Sequence, residues 1–181
     1  MKITSAYSPT NVYYSNRKQE GNFVDTNGRN NFSNYLATIA KDDNNIITDN
    51  ELYSQLIEKH GRDINSIARE LVAHKAVNPK NINPRNCTRL EMEILYESIN
   101  EGKERCVKTS AHINFAMRYQ IGNGELKKIS EFAPDDKFDW IKKIQAFSRM
   151  QINLGNMDFI NNGTLDSVNS YIDELLSFGR S

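Results

Sequence analysis

The stretch TRLEMEILYESI, residues 88–99, decides the fold class. It opens with a capping box, in which the Thr88 hydroxyl and the Glu91 carboxylate can each satisfy a backbone amide at the helix start. The apolar positions that follow share one helical face: they are Leu90, Ile94, Leu95 and Ile99. This pattern predicts a helix that ends near Gly102.

Apolar residues recur with helical spacing on both sides of this stretch. Further helices are predicted at about 31–40, 49–59, 63–78, 135–152 and 164–178. The predicted N-caps are Thr48 or Asp49, Asp63, and Asp135 or Asp136. The segment 104–120 leaves two interpretations open, because its apolar residues permit either a helix from about Ser110 or some extended structure. Residues 121–124 (IGNG) predict a turn.

The predicted fold class is all-α. Alternating strand-like segments do not occur together, so we expect a single-domain bundle of about six or seven helices. Residues 1–30 contain few aliphatic side chains and show no helical or alternating period, which predicts a flexible N-terminal tail. The helical domain is then expected to span residues 31–181, a size typical of one domain.

The charge pattern bears on partners and location. Lys plus Arg equals Asp plus Glu, 23 each, and the basic residues occur as separate pairs such as Lys127-Lys128 and Lys142-Lys143. This argues against nucleic acid or an anionic membrane as the main partner. Without a long apolar run or a secretory signal, the expected location is the cytoplasm. Residues 1–16 lack acids, and this leader resembles those read by type III or flagellar export machines, so export without a cleaved signal peptide is an alternative.

One motif suggests a metal site. Residues 40–51 (AKDDNNIITDNE) resemble the calcium loop of the EF-hand family, whose ligands come from loop positions 1, 3, 5, 7, 9 and 12. Positions 3, 5, 9 and 12 are Asp42, Asn44, Thr48 and Glu51, and the Ile46 carbonyl falls on position 7. The resemblance implies that these residues would ligate calcium.

The same loop departs from the family at two positions. Ala40 replaces the first carboxylate, and Asn45 stands where the family has glycine. Calcium would therefore bind weakly, at about the millimolar end of the EF-hand range. We favour a metal-free helix–loop–helix and predict no cofactor, with weak calcium binding as the alternative. Residues 158–169 echo the motif more faintly and predict a helix–turn–helix with an Asn-Gly turn.

The candidates for catalysis are Cys106 and His112. With a nearby acid they could form a Cys–His–acid site, although no family signature surrounds either cysteine. Cys87 is expected to be reduced and partly buried. His60 and His74 lie near predicted helix ends, where a cation is favourable beside the helix dipole.

Three functional hypotheses follow. The first, which we favour, is a non-enzymatic helical protein that binds another protein as a regulator, an accessory factor or a leaderless secreted bacterial factor. The second is an enzyme with a Cys106–His112 centre, and the third is a weakly calcium-responsive protein. A polar pocket that joins a cysteine to a histidine would favour the enzyme, whereas an exposed apolar groove would favour binding. The sequence does not specify an oligomeric state.

Overall fold

The computed structural model describes residues 45–103, 107–122, 125–133 and 135–178. Helices make up 66% of the described residues, which confirms the all-α prediction. The helices are α1 (Asn50–His60), α2 (Ile64–Ala73), α3 (Arg89–Asn100), α4 (Val107–Arg118), α5 (Trp140–Asn153), α6 (Met157–Asn161) and α7 (Thr164–Ser177). The predicted tail, 1–30, and the predicted helix at 31–40 lie outside the described residues.

The first two described helices begin where the sequence predicts. The Asp49 side chain accepts from the Leu52 amide and caps α1, and Asp63 caps α2 by accepting from the Ser66 amide. However, α2 ends at Ala73, before the predicted stop at 78. Residue Lys75 adopts a positive φ of 54°, and the chain then becomes extended and forms a bridge with the segment before α1. The end predicted for this helix was therefore wrong.

Helix α3 lies at the centre of the core. Its capping box is present, since the Thr88 side chain accepts from the Glu91 amide while the Glu91 carboxylate accepts from the Thr88 amide. Almost every residue of the helix is buried, and α3 packs mainly against α2. The fully buried side chains of this contact include Ile67, Ala68, Leu71, Leu90, Ile94 and Leu95.

The segment 104–120, for which the sequence permits a helix or extended structure, contains both. Helix α4 runs from Val107 to Arg118 and is followed at once by strand β1 (Tyr119–Gly122), which pairs antiparallel with β2 (Glu125–Lys128). Of the predicted turn at 121–124, Ile121 and Gly122 belong to β1, and residues 123–124 are outside the described part. The hairpin was not predicted, because every described side chain of β2 is exposed and the strand shows no alternation of apolar and polar residues.

Helix α5 starts later than predicted. Its N-cap is Asp139, which accepts from the Lys142 amide, so the assignment of Asp135 or Asp136 as the cap was wrong. The Asp136 carboxylate accepts from the Ala133 amide instead. The chain before α5 is held by a bridge between Cys87 and Phe138, which leaves it extended up to the cap.

The C-terminal helices pack beside α5. The short helix α6 was not predicted by itself, but α6 and α7 form the predicted helix–turn–helix, with Gly163 at φ 75° between them. The fully buried indole of Trp140 donates to the Cys87 carbonyl at 2.9 Å and ties α5 to the loop before α3. Within the described ranges, no helix is long and apolar enough to cross a membrane.

Candidate functional site

The candidate base His112 is built into the core. It lies on α4, is 5% exposed, and its ring is between Phe147 and Phe159 at centroid distances of 4.5 and 4.8 Å. Its Nε2 is 3.0 Å from the Ser148 hydroxyl oxygen. Because that hydroxyl donates to the Ile144 carbonyl at 3.0 Å, its oxygen accepts from His112 Nε2–H.

This environment makes His112 a poor catalytic base at neutral pH. Burial lowers its pKa from 6.5 to about 4, against a smaller opposing effect of the Ile144 carbonyl. Ser148 is no better placed as a nucleophile, since it is 7% exposed and gives its proton to a backbone carbonyl. Cys106 lies outside the described residues, so the structure does not test its pairing with His112.

Of the two cysteines, Cys87 is described. It is free and 2% exposed, so it is more buried than expected. Burial, with a smaller contribution from the nearby Glu91 carboxylate, raises the pKa of its thiol well above the usual value. A buried, protonated thiol is a poor nucleophile, and Cys87 therefore has a structural role.

The EF-hand-like loop is described from residue 45 onward, so Asp42 and Asn44 are outside the described part. Asn45 adopts a positive φ of 45°, the left-handed conformation for which the family uses glycine. The neighbouring Ile47 forms an antiparallel bridge with Val77.

One described ligand position of this loop is already hydrogen-bonded. The Ile46 carbonyl, at position 7, accepts from the Asn78 amide at 2.7 Å and so faces the neighbouring segment. Thr48 is also part of that bridge through its amide, which donates to the Ala76 carbonyl, and Glu51 is exposed in the first turn of α1. The described residues hold no cluster of three or more potential metal ligands.

Two buried ionisable side chains, Glu93 on α3 and Tyr171 on α7, have shifted pKa values. Glu93 is 5% exposed, and burial, partly offset by the Arg89 guanidinium, raises the pKa of its carboxyl to about 7. Burial and the neighbouring Tyr96 and Glu93 raise the pKa of the Tyr171 hydroxyl well above its usual value. Helical spacing alone does not predict that Glu93 is buried, because it lies outside the apolar stripe of α3 and is covered only in the folded protein.

An open cleft of about 420 Å³ lies between α3, α4 and α7. Its polar lining includes Tyr96, Asn100, Thr109, Ser110, Ser170 and Tyr171. The hydroxyl oxygens of Thr109 and Tyr171 are fully covered by protein and have no hydrogen-bond partner among the described residues. They therefore do not face the cleft, and Glu93 does not line it. The charged residues of the lining are Lys103, Asp166 and Glu174, and the Lys103 ammonium pairs with the Glu174 carboxylate at 2.8 Å.

The groove with the most specific lining lies between β1 and helices α4 and α5. It has a volume of about 360 Å³. We call it the lysine groove and define it by its aromatic walls and its lysines: Phe115, Tyr119, Phe138, Phe147, Lys137, Lys142 and Lys143. Apolar walls with a few polar groups that converge on them are typical of binding sites.

Lys143 is the polar centre of this groove. Its ammonium donates to the Tyr119 carbonyl at 3.1 Å and lies 5.1 Å and 5.3 Å from the ring centroids of Phe138 and Trp140. These distances are within the range of cation–π interactions. Partial burial lowers the pKa of Lys143 from 10.5 to about 8. A desolvated cation in a groove gains more than an exposed one from an anionic ligand.

The groove carries an excess of positive charge. Lys137, Lys142 and Lys143 make no ion pair within the described residues. The one acid of the lining, Asp139, already caps α5 and lies 3.8 Å from the Arg85 guanidinium. Lys127 and Lys128 are exposed on β2, directly opposite two of the groove-lining residues of β1. The lysine pairs that are separate in the sequence therefore meet around one strand.

The aromatic walls are held in place by contacts with one another. Phe115 stacks on Phe147 at a centroid distance of 4.2 Å and lies 4.7 Å from the ring of Tyr119. Phe138 meets Trp140 edge-on at 5.2 Å. The groove is thus preformed, which reduces the entropy that a ligand must lose on binding.

Other exposed apolar side chains lie at the corner between α5 and α6. Leu154 and Met157 are 72% and 57% exposed, with Ile152 and Ile160 beside them in the sequence. This corner carries no charged lysines comparable to those of the groove.

Comparisons with models of protein families, with curated proteins and with solved structures found no match.

Proposed function

We propose that this protein is a non-enzymatic binding protein and that it holds a protein partner in the lysine groove. The observation that carries the proposal is the combination of a preformed aromatic wall with three lysines that have no described ion pair. A few well-packed, often aromatic, side chains supply most of the binding energy in protein complexes, and charged groups around them select a partner of complementary charge.

The geometry of the other candidates supports binding over catalysis. His112 is covered by aromatic rings and bonded to Ser148, and it lines neither of the two described clefts. Cys87 is buried as well. An exposed groove with aromatic walls is the feature that distinguishes the binding hypothesis from the enzyme hypothesis.

The test is co-purification from the native host with Lys142→Glu. Lys142 is exposed in the first turn of α5, where a glutamate is favourable beside the helix dipole, so the variant should fold as well as the wild type. Lys80→Glu is the matched control, because Lys80 is also exposed but lies in the 3₁₀ turn Pro79–Asn81, away from the groove.

We expect at least one host protein to be recovered with the wild type and with Lys80→Glu, and to be depleted about tenfold with Lys142→Glu. Thermal midpoints measured for all three proteins serve as the check on folding. Equal recovery of every partner by the two variants would contradict the proposal.

A further inference from the structure

The charge and shape of the lysine groove specify its partner further, and this inference rests on the proposed function. We propose that the groove takes an extended acidic segment of a partner protein that inserts one aromatic or large aliphatic side chain between the aromatic walls. The charges, the walls and the free edge of β1 each support one part of this description.

The charges favour an acidic segment. Three lysines line the groove, whereas its one carboxylate, Asp139, is bonded to the Lys142 amide and lies beside Arg85. A basic partner would meet uncompensated like charges, which disfavours its binding. The exposed lysines of β2 extend the same positive potential beyond the groove.

The walls favour a single large apolar anchor. The stacked rings of Phe115 and Phe147 line one part of the groove, and Phe138 lines another. A volume of about 360 Å³ is near the lower end for ligand sites, so one side chain with its backbone fills it better than a folded surface does.

The strand edge favours an extended backbone. Within the described residues, β1 pairs on one side only, with β2. Three consecutive residues of β1, Tyr119 to Ile121, line the groove, so the groove runs along the strand. On this side the Tyr119 carbonyl accepts from Lys143, which shows that one backbone group of β1 faces the groove. A carbonyl oxygen has a second lone pair that can accept from a partner amide. An extended segment beside this edge can use such groups for hydrogen bonds.

A single-stranded nucleic acid is the competing occupant, because aromatic rings among lysines also suit stacked bases and phosphates. The observations favour the peptide. Phe115 and Phe147 already stack on each other, and Lys143 already lies over Phe138 and Trp140, so one face of each ring is occupied. A flat base needs a free ring face, whereas an aliphatic or aromatic side chain can also pack against the ring edges.

The experiment uses fluorescence anisotropy with the full chain and three short synthetic peptides. The first carries one phenylalanine flanked on each side by aspartate and glutamate. The second replaces those acids by asparagine and glutamine, and the third replaces the phenylalanine by alanine. A labelled oligothymidine is the nucleic-acid probe.

We expect the acidic phenylalanine peptide to bind at least about tenfold more tightly than either control peptide or the oligothymidine at low salt. Its affinity should fall as salt is raised, since charge pairs at a surface are screened. Lys142→Glu should weaken it about tenfold and Lys80→Glu less than about twofold.

The inference is overturned if the neutral peptide binds equally well, if the oligothymidine binds more tightly, or if no peptide binds. These failures are distinguishable from failure of the proposed function. If Lys142→Glu still removes a native partner while the acidic peptide does not bind, the groove binds protein but the partner chemistry proposed here is wrong. If neither effect occurs, both proposals are wrong.

Discussion

At the scale of single residues, two buried ionisable groups have pKa shifts of opposite sense. The pKa of His112 is lowered to about 4 and that of Glu93 is raised to about 7, in both cases mainly because burial disfavours the charged form. Both groups are therefore largely neutral in the folded protein between these values. Each makes the free energy of unfolding depend on pH, but in opposite directions.

His112 should destabilise the protein in acid. Between pH 6.5 and about 4 the unfolded chain binds a proton that the folded chain does not, so the free energy of unfolding falls as pH falls. The loss is on the order of 3 kcal/mol over this window. His112→Phe should remove it and should keep the ring contacts with Phe147 and Phe159.

The measurement is urea unfolding of the wild type and His112→Phe at about pH 7.5 and about pH 4.5, which covers most of the pH range over which His112 titrates. The packing cost of the larger phenylalanine ring is the same at both pH values. The change with pH in the stability difference between the two proteins therefore reports the titration of His112 alone. His74→Gln is the control, because His74 is exposed at the end of α2. Identical pH profiles for the wild type and His112→Phe would contradict this account of His112.

Glu93 should destabilise the protein in base. Below pH 4.5 both states hold its proton; between 4.5 and about 7 only the folded state does, so stability is lost as pH rises through this window. Glu93→Gln removes the charge and leaves Arg89 partly exposed to water. The free energy of unfolding of Glu93→Gln relative to the wild type should be higher at about pH 8, one unit above the pKa, than at about pH 5. The expected increase is on the order of 3 kcal/mol.

Urea unfolding at these two values measures the difference. Because the His112 and Glu93 windows overlap between pH 4.5 and 6.5 with opposite signs, the wild type should show little net slope there from these two groups. A Glu93→Gln protein whose stability relative to the wild type is the same at both values would show that Glu93 is ionised in the folded state.

At the scale of elements, the caps are the most reliable sequence signals. Asp49, Asp63 and the Thr88 capping box all lie where the residue pattern predicts them, since capping requires only a local side-chain oxygen near the helix start. The predicted start of α5 was wrong because three aspartates precede this helix. The bridge between Cys87 and Phe138 keeps the chain extended past the first two, so the third caps the helix. That bridge joins segments far apart in the sequence.

The capping box of α3 provides a test of these signals. Thr88→Ala removes the oxygen that accepts from the Glu91 amide at 3.3 Å, in a buried position. We expect a loss of about 1–2 kcal/mol in the free energy of unfolding, measured by urea titration. Thr48→Ala, an exposed threonine beside the Asp49 cap, should change it by less than about 0.5 kcal/mol. Equal effects of the two substitutions would show that the capping box adds nothing.

At the scale of the whole molecule, the helical class could be predicted but the groove could not. The fold class follows from the spacing of apolar residues within each segment, and this spacing can be read from the sequence directly. The groove forms where β1 lies against α5. The hairpin could not be predicted, because the exposed strand β2 shows no alternation of apolar and polar residues. Lys127-Lys128 and Lys142-Lys143 are visible in the sequence, but only the register of β1 with β2 brings both pairs to one strand.

The central claim is that the lysine groove, and not a Cys106–His112 centre, carries the function. The direct test compares the biological activity of Cys106→Ser and Lys142→Glu in the native host, with both proteins shown to unfold at the wild-type thermal midpoint. The groove account predicts that Cys106→Ser is fully active and that Lys142→Glu is inactive. An inactive Cys106→Ser together with an active Lys142→Glu would contradict it and would favour the enzyme.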